Sequence, residues 1–175
     1  MEVDSASLPA IAEAMGNDGD LVRKRLARGC RCFGAWIGDD LAGYGWLSTA
    51  PEWIGELELE IAPDPGDGYI WNCATVPAHR RRGVFRSMLA GITAQARQDG
   101  LRRIWIGSVA IPAEKAVSPS GFKPALVFST TMIAGLRLTR VASAPGADAA
   151  LAADGLRVLS ARPGRSLRRP RPRRH

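Results

Sequence analysis

The chain has 175 residues, 46% hydrophobic and 23% charged, which is typical of a globular protein with a sizeable core. Its net charge of +7 is concentrated at one end, because residues 162–175 contain seven arginines and no acidic residue. Without that tail, 17 basic residues balance 17 acidic ones, which argues against a broad nucleic-acid-binding face. No uninterrupted apolar run is long enough to span a bilayer, so no membrane partner is expected.

The cysteines Cys30, Cys32 and Cys73 are odd in number, with no second Cys-x-Cys pair and no well-placed histidines. This pattern favours reduced thiols over disulfides or a zinc site, and no metal is expected. The N-terminus is acidic and lacks the apolar segment of a secretion signal, so a cytoplasmic location is expected.

The apolar spacing predicts two short helices at 7–15 and 18–28, then a hairpin of strands 31–37 and 41–48. Residues 56–61 alternate glutamate with apolar residues, as a half-exposed strand does. A strand at 69–76, an amphipathic helix from 84 to about 98 and a strand at 103–109 follow. These three elements predict a right-handed βαβ unit with parallel strands.

The later part of the chain predicts a short helical segment around 112–118 and strands at 123–133 and 136–141. From residue 142 the composition shifts to alanine, glycine and proline. Residues 142–161 are predicted as an extension with one weak strand at 155–160. The Arg/Pro-rich residues 162–175 are predicted to be a disordered tail.

The stretch from Val76 to Phe85 begins where an apolar strand ends and leads directly into the amphipathic helix. A glycine-containing turn at a helix N-terminus directs several unpaired backbone N–H groups, and the positive end of the helix dipole, at one point. Three arginines beside that point favour a phosphate or pyrophosphate as the anion. They are Arg80, Arg81 and Arg82.

This turn resembles the pyrophosphate-binding pattern of the GNAT acetyltransferases, Arg/Gln-x-x-Gly-x-Gly/Ala. The run Arg80-Arg81-Arg82-Gly83-Val84-Phe85 matches the pattern through Gly83, and Phe85 takes the place of the usual small residue. A Gly-Phe pair after a short helix is a second marker of the family, matched here by Gly121-Phe122. The order of the predicted elements also fits, and the resemblance covers about residues 7–141.

The resemblance implies an α+β (α/β) fold over residues 1–141. Its sheet is mixed and mostly antiparallel, with a central βαβ unit, splayed parallel strands and helices on both faces. The family's first strand would be short or missing, because only residues 1–4 are available for it ahead of the first predicted helix.

The resemblance also implies that acetyl-CoA is the co-substrate. The pantetheine arm would bond to Ala74 and Val76 as an added strand, and the amides of residues 81–86 would hold the pyrophosphate. Arginine side chains at the mouth would reach the 3′-phosphate. The implied cofactor-binding residues are Ala74, Val76, Arg80, Arg81, Arg82, Gly83, Val84, Phe85 and Arg86.

The implied reaction is direct attack of a primary amine, on a small molecule or a peptide, on the thioester of acetyl-CoA. The candidates for general base are Glu56, Glu58 and Glu60, of which Glu58 and Glu60 are preferred, and Asn72 is a candidate to orient a water or the substrate. Alternation predicts one common strand face for the glutamates, and a solvated edge strand is the competing interpretation. For Asn72 the competing interpretation is a polar residue inside the fold whose hydrogen bonds are all made. Val117 stands where many family members have a tyrosine acid, so no acid is assigned.

Two other functions compete with acyl transfer. A non-catalytic acyl-CoA-binding or regulatory module of the same fold is the alternative suggested by the missing tyrosine. The arginine-rich tail is the only part suited to nucleic acid or an acidic partner, and an extension without function is its competing interpretation. Pairing through sheet edges would give a homodimer, and the sequence leaves the oligomeric state open.

Overall fold

The computed structural model describes residues 1–55, 57–108, 117–133, 136–159 and 164–168. The chain divides into two compact units. The first contains Met1–Pro51 and Pro63–Phe122, and the second contains Glu52–Ala62 and the chain from Lys123 onward. The boundary after Phe122 differs from the predicted domain end at residue 141.

The helices and strands alternate irregularly along the chain. In chain order they are α1 (Leu8–Met15), α2 (Leu21–Ala27), β1 (Arg31–Ile37), β2 (Asp40–Ser48), β3 (Glu52–Ile54), β4 (Leu59–Ile61), β5 (Asp67–Thr75), α3 (Val84–Gln98), β6 (Arg103–Ile106), β7 (Leu126–Ile133), β8 (Leu136–Ser143), α4 (Ala149–Val158) and β9 (Gly164–Arg168).

The sheet of the first unit has the strand order β1-β2-β5-β6. Strands β1, β2 and β5 are antiparallel, and β5 pairs with β6 in parallel, which confirms the predicted hairpin and βαβ unit. Residues before α1 add only an isolated bridge between Glu2 and Phe33 at the β1 edge. The N–H of Val3 supports this bridge with a 2.9 Å hydrogen bond to the carbonyl of Cys32. The expected first strand is therefore reduced to about one bridge.

Two apolar cores cover the two faces of this sheet. Because side chains alternate along β2, Tyr44 and Trp46 face α1 and α2, whereas Leu47 faces α3. The α3 stripe buries Leu89 and Ile92 completely. Truncating either to alanine is expected to cost about 2–5 kcal/mol of folding free energy. We call these clusters the α1/α2-side core and the α3-side core.

In the second unit, β3 and β4 form a short antiparallel hairpin, and β7, β8 and β9 form an antiparallel sheet. The N–H of Ala62 donates to the carbonyl of Val158 at 2.7 Å, which links the hairpin segment to α4. Helix α4 packs closely on β7 at Gly155, where an added Cβ would lie 3.1 Å from Cδ1 of Leu126.

Helix α4 replaces the weak strand predicted at 155–160, so that prediction is wrong. The carboxylate of Asp148 caps the helix by accepting a 2.9 Å hydrogen bond from the N–H of Leu151. The alanine-rich sequence that follows has high helix propensity, which outweighs the short apolar run at its end.

Strand β9 lies within residues 162–175, which the composition predicted to be disordered. It pairs antiparallel with β8, with Leu167 opposite Leu138. The edge of β8 offers backbone donors and acceptors, and pairing with them stabilises a segment that cannot build a core of its own. Gly164–Arg168 therefore form a paired strand inside the predicted tail, and residues 162–163 and 169–175 lie outside the described residues.

In the part of the chain that the structure describes, no helix combines the length and the apolar character needed to cross a bilayer.

Candidate active site

The two halves of β5 have different neighbours. From Asp67 to Ile70 the strand pairs in parallel with β6, and this ladder ends at the pair Ile70–Ile106. On its other edge β5 pairs with β2 from Tyr69 as far as Thr75. Among the described residues, the second half of β5 therefore has a strand partner on one edge only.

The direction of each peptide decides which backbone groups face that open edge. The N–H of Val76 donates to the carbonyl of Ala42, and its carbonyl accepts from the N–H of His79, both at 2.9 Å. Ala74 lies two residues earlier, opposite Tyr44, and therefore faces β2 as well. The peptides are trans, so the N–H and carbonyl of Thr75 face the open edge.

The predicted pantetheine contacts of Ala74 and Val76 stay predictions, and this geometry favours Thr75 for that role instead. Their backbone groups serve the sheet and the following turn, and the residue between them presents its groups outward. The alternation of the sequence gives the face of a side chain, but not the edge to which a peptide points.

After β5 the chain makes a 3-10 turn at Pro77–His79 and then a second turn with two left-handed residues. Arg81 has φ +62° and Gly83 has φ +77°. Gly83 is the N-cap of α3, no side chain in the described residues caps the helix, and its first bond runs from Ser87 N–H to Gly83 carbonyl. The N–H groups ahead of that bond point out of the helix end.

The turn is strongly basic and open to solvent. Its exposed side chains are Arg80, Arg81, Arg82 and Arg86. Nη1 of Arg82 lies 3.2 Å from Nδ1 of His79, which is half-buried. Several guanidinium groups beside the positive end of a 15-residue helix favour an anionic group at this point. The predicted cluster is therefore brought together at one helix end.

Two glycines on β2 allow the turn to lie against the sheet. An added Cβ on Gly43 would lie 2.8 Å from the carbonyl oxygen of Ala74 and 3.1 Å from Cγ1 of the buried Val84. On Gly45 it would lie 2.7 Å from Sγ of Cys73. Phe85, the departure from the family pattern, is half-buried and packs against the α3-side core. Its size is therefore accommodated inside the protein.

Asn72 lies at a bulge in β5, where the register with β2 shifts between Tyr44 and Trp46. Its backbone is left-handed, with φ +44°. Its Oδ1 accepts a 2.8 Å hydrogen bond from Nη1 of Arg25 on α2. Asn72 therefore has a hydrogen-bond partner, as the structural interpretation of this residue expects, but it is exposed and not inside the fold.

The thiols and the phenol near the bulge stay neutral at physiological pH. Burial raises the pKa of Cys73 to about 12 and the pKa of Cys32 to about 12. Burial also raises the pKa of Tyr44. These groups therefore serve neither as general bases nor as thiolate nucleophiles.

Glu58 and Glu60 belong to the second unit, and they do not share a face as predicted. The strand begins only at Leu59, because the N–H of Leu57 bonds to the carbonyl of Ile54 and closes the hairpin turn. Glu58 lies in that turn with φ +52° and is 8% exposed, whereas Glu60 is exposed on β4. Glu56 lies outside the described residues.

The Gly-Phe pair has a structural role in this chain. Gly121 is left-handed, with φ +90°, and Phe122 packs against the α3-side core. Val117 packs against the same core, so this position supplies an apolar contact and no proton.

Four residues that matter to the site were not among the predicted ones: Arg25, Gly43, Gly45 and Thr75. Gly43 and Gly45 could have been predicted from the sequence, because two glycines two residues apart within a strand indicate a close approach by another backbone or side chain. Nothing in the sequence distinguishes Arg25 from the other basic residues of α2. Among the described residues, no three His, Cys, Asp or Glu side chains are grouped to hold a metal.

An open strand edge that leads into a basic helix N-terminus is a geometry suited to a phosphate-bearing ligand in an α+β protein. Residues 8–118 match the Acetyltransferase (GNAT) family, and the chain belongs to this family. A search of curated proteins found no match.

Solved structures show the same fold at low sequence identity. A putative acetyltransferase from Agrobacterium tumefaciens is 17% identical with a TM-score of 0.53, covering 70% of this chain and 91% of its own. The ribosomal-protein-alanine N-acetyltransferase from Brucella melitensis is 14% identical with a TM-score of 0.54, covering 76% and 96%. The ribosomal-protein-S18-alanine N-acetyltransferase from Escherichia coli is 13% identical with a TM-score of 0.56, covering 72% and 78%.

Proposed function

We propose that this protein transfers the acetyl group of acetyl-CoA to a primary amine by direct attack on the thioester. One observation carries the proposal: the open edge of β5 at Thr75 leads within a few residues to the basic turn at the start of α3. The pantetheine arm of coenzyme A carries two amides and is joined to a pyrophosphate. A free strand edge followed by an anion site matches that order of groups.

The backbone would hold most of the ligand. The N–H and carbonyl of Thr75 would pair with pantetheine amides, and the amides from Arg81 to Arg86 would surround the pyrophosphate. The exposed arginine side chains would reach the 3′-phosphate through charge-assisted hydrogen bonds. Because Gly83 is left-handed and has no Cβ, the phosphate can approach the backbone closely at this residue.

In the reaction, the amine nitrogen forms a bond to the acyl carbon and the carbon–sulfur bond breaks. The ammonium must first lose a proton to a base, and Glu58 and Glu60, which belong to the second unit, stay the sequence-based candidates for that base. Negative charge that develops on the acyl oxygen would be stabilised by donors near the bulge of β5. The nitrogen would release its second proton to solvent as the amide forms, and the leaving thiolate would take its proton from solvent, because Val117 is apolar and a thiol is itself a modest acid.

The test is calorimetric titration with acetyl-CoA and free CoA at two salt concentrations, followed by thiol release with a panel of amines. The panel contains small amines and short peptides, including peptides that begin with alanine, the residue named for two proteins of similar fold. Saturable one-to-one binding and amine-dependent thiol release are expected. A folded protein that binds neither ligand would contradict the proposal.

A second candidate function is acyl-CoA binding without catalysis. The apolar packing of Val117 favours it, because the usual acid is missing from the described site. Tight binding of acetyl-CoA together with no thiol release above the rate without protein, for every amine tested, would support this second function.

A further inference from the structure

Arg25 is an unusual buried residue. It extends from α2 into the α1/α2-side core and is only 5% exposed. Its guanidinium lies 4.3 Å from the ring centroid of Trp71 and 5.1 Å from that of Trp46. The two tryptophans are cross-strand neighbours on β5 and β2, so the planar cation is fixed against both rings.

The guanidinium contacts the bulge of β5 directly. A left-handed backbone is strained at most non-glycine residues, and asparagine is among the residues that tolerate it best. Asn72 holds this conformation while its side chain accepts the hydrogen bond from Arg25. The contact joins residues 47 positions apart in the sequence.

The chemistry of the pair fixes the orientation of the asparagine amide. An arginine side chain has only donors, so the group facing Arg25 must be Oδ1. The Nδ2 group, with its two N–H donors, therefore points away from Arg25. Because Asn72 is exposed, these donors are accessible.

The bulge is placed where the acyl end of the ligand would lie. Asn72 comes two residues after Ile70, at which the pairing with β6 ends. It lies three residues before Thr75, or roughly 10 Å further from the anion site along the strand. A pantetheine arm that runs along the open half of β5 from the turn would bring its thioester to this position.

We propose that Arg25 is a positioning residue for acyl transfer, which holds Asn72 so that its Nδ2 group donates a hydrogen bond to the acyl carbonyl oxygen. This inference rests on the proposed function, because it requires an acyl-CoA along the open edge of β5. A donor fixed before the reaction strengthens its bond as negative charge grows on that oxygen. A purely structural Arg25 would support the fold without affecting the thioester.

The experiment is isotope-edited infrared spectroscopy of acetyl-CoA carrying ¹³C at the carbonyl carbon, with calorimetric titration of free CoA. On binding to the wild-type protein, the carbonyl stretch is expected to move to lower frequency. Arg25→Met removes the donor to Asn72 and keeps a long apolar side chain against the two tryptophan rings. It is expected to lose most of this shift while the affinity for free CoA changes less than about twofold.

Asn72→Asp is the second variant. Aspartate tolerates the left-handed backbone and keeps the contact with Arg25, but it presents an acceptor in place of the two donors. It should lose the carbonyl shift even if Arg25→Met fails to fold. Arg23→Met makes the same change at an exposed position of α2 and should behave like the wild type.

A carbonyl shift that persists in both Arg25→Met and Asn72→Asp would overturn the positioning role while leaving acetyl-CoA binding intact. A wild-type protein that binds acetyl-CoA without any carbonyl shift would do the same. A wild-type protein that binds neither acetyl-CoA nor free CoA would overturn the proposed function, and this inference with it.

Discussion

The two halves of β5 are one continuous strand with different hydrogen-bonding conditions. Asp67–Ile70 is paired with β6, and the strand beyond it has β2 as its only strand partner among the described residues. Buried backbone groups almost always find partners, so an open edge next to a core favours a ligand that supplies them. The first half thus holds the sheet together, while the second half is suited to binding.

The bulge at Asn72 lies at the boundary between these halves. It changes the register with β2 and bends the strand close to where the parallel ladder ends. Specific residues therefore maintain the open edge of β5. They are Gly43 and Gly45 on β2, which allow close packing, and Arg25 on α2, which contacts the bulge.

The largest effect is expected from Gly83→Glu, which blocks the anion site that follows the open half of β5. A carboxylate at the anion site should lower the affinity for acetyl-CoA at least about 100-fold, or about 2.7 kcal/mol. The protein should stay folded with a lowered melting temperature, because an added Cβ at Gly83 meets nothing within 4 Å but the φ of +77° is strained for any side chain. Calorimetric titration and a thermal melt measure the two effects.

Gly100→Glu is the matched control for this change. Gly100 follows the C-terminal end of α3, has φ +80° and also has open space around an added Cβ. It should lower the melting temperature by a similar amount and leave the affinity unchanged. Equal losses of affinity in the two variants would show that strain, rather than the anion site, is responsible.

The next effect tests how closely β2 approaches the second half of β5. Gly43→Ala places a methyl group 2.8 Å from the carbonyl oxygen of Ala74 and should cost about 2 kcal/mol of unfolding free energy. Gly91→Ala, in the exposed interior of α3 with nothing within 4 Å, should instead stabilise by about 0.5 kcal/mol. Urea denaturation measures both, and effects of the same sign would contradict the packing described for Gly43.

Amide hydrogen exchange tests the two edges of β5 directly. The N–H of Val76 is bonded to Ala42 and should exchange slowly with or without ligand. The N–H of Thr75 should exchange faster in the free protein and slow at least about tenfold, or about 1.4 kcal/mol, on addition of CoA. Ligand protection of Val76 without protection of Thr75 would restore the original prediction for these residues.

The smallest effect concerns the opposite edge of the same sheet. Arg31 donates two hydrogen bonds to the carboxylate of Glu2, at 2.9 and 2.6 Å, and this contact lowers the pKa of Glu2. A lowered pKa in the folded state adds stability above the unfolded pKa of about 4.3, and that stability is lost as the pH falls through the folded value.

Glu2→Gln should therefore cost no more than about 0.5 kcal/mol at pH 7, and the difference from wild type should disappear at acidic pH. Thermal melts between pH 7 and pH 3 measure it. Glu13→Gln, at an exposed position of α1, is the control and should match the wild type throughout. A difference that grows on acidification would contradict the assigned role of the Glu2–Arg31 contact.

Much of the fold could be predicted from local sequence patterns. The hairpin, the βαβ unit and the turn with Gly83 follow from alternation, helical periodicity and glycine placement, which act over a few residues. The second unit was less readable. Residues 155–158 form the end of a helix because Asp148, several residues earlier, caps it, and β9 exists because β8 offers an edge.

The candidate site could be predicted only in part, because some of its features also depend on contacts with distant residues. The basic cluster around Arg81 is local in sequence, and the structure brings it to one helix end. The direction of the Thr75 peptide depends on the hydrogen bond between the N–H of Val76 and the carbonyl of Ala42. The proposed role of Arg25 depends on its contacts with Trp46 and Asn72, which lie on two different strands. Contacts between distant parts of the chain leave no pattern in a single segment.

The division of the chain into units also limits how it can be shortened. Glu52–Ala62 interrupts the first unit between β2 and β5 but belongs to the second, so the polypeptide passes between the units three times. A chain cut after Phe122 would keep the β3–β4 hairpin and lose Val158, which accepts the hydrogen bond from Ala62. Isolating the first unit therefore requires replacing residues 52–62 with a short linker as well as removing the C-terminal part, and this change also removes the candidate bases Glu58 and Glu60.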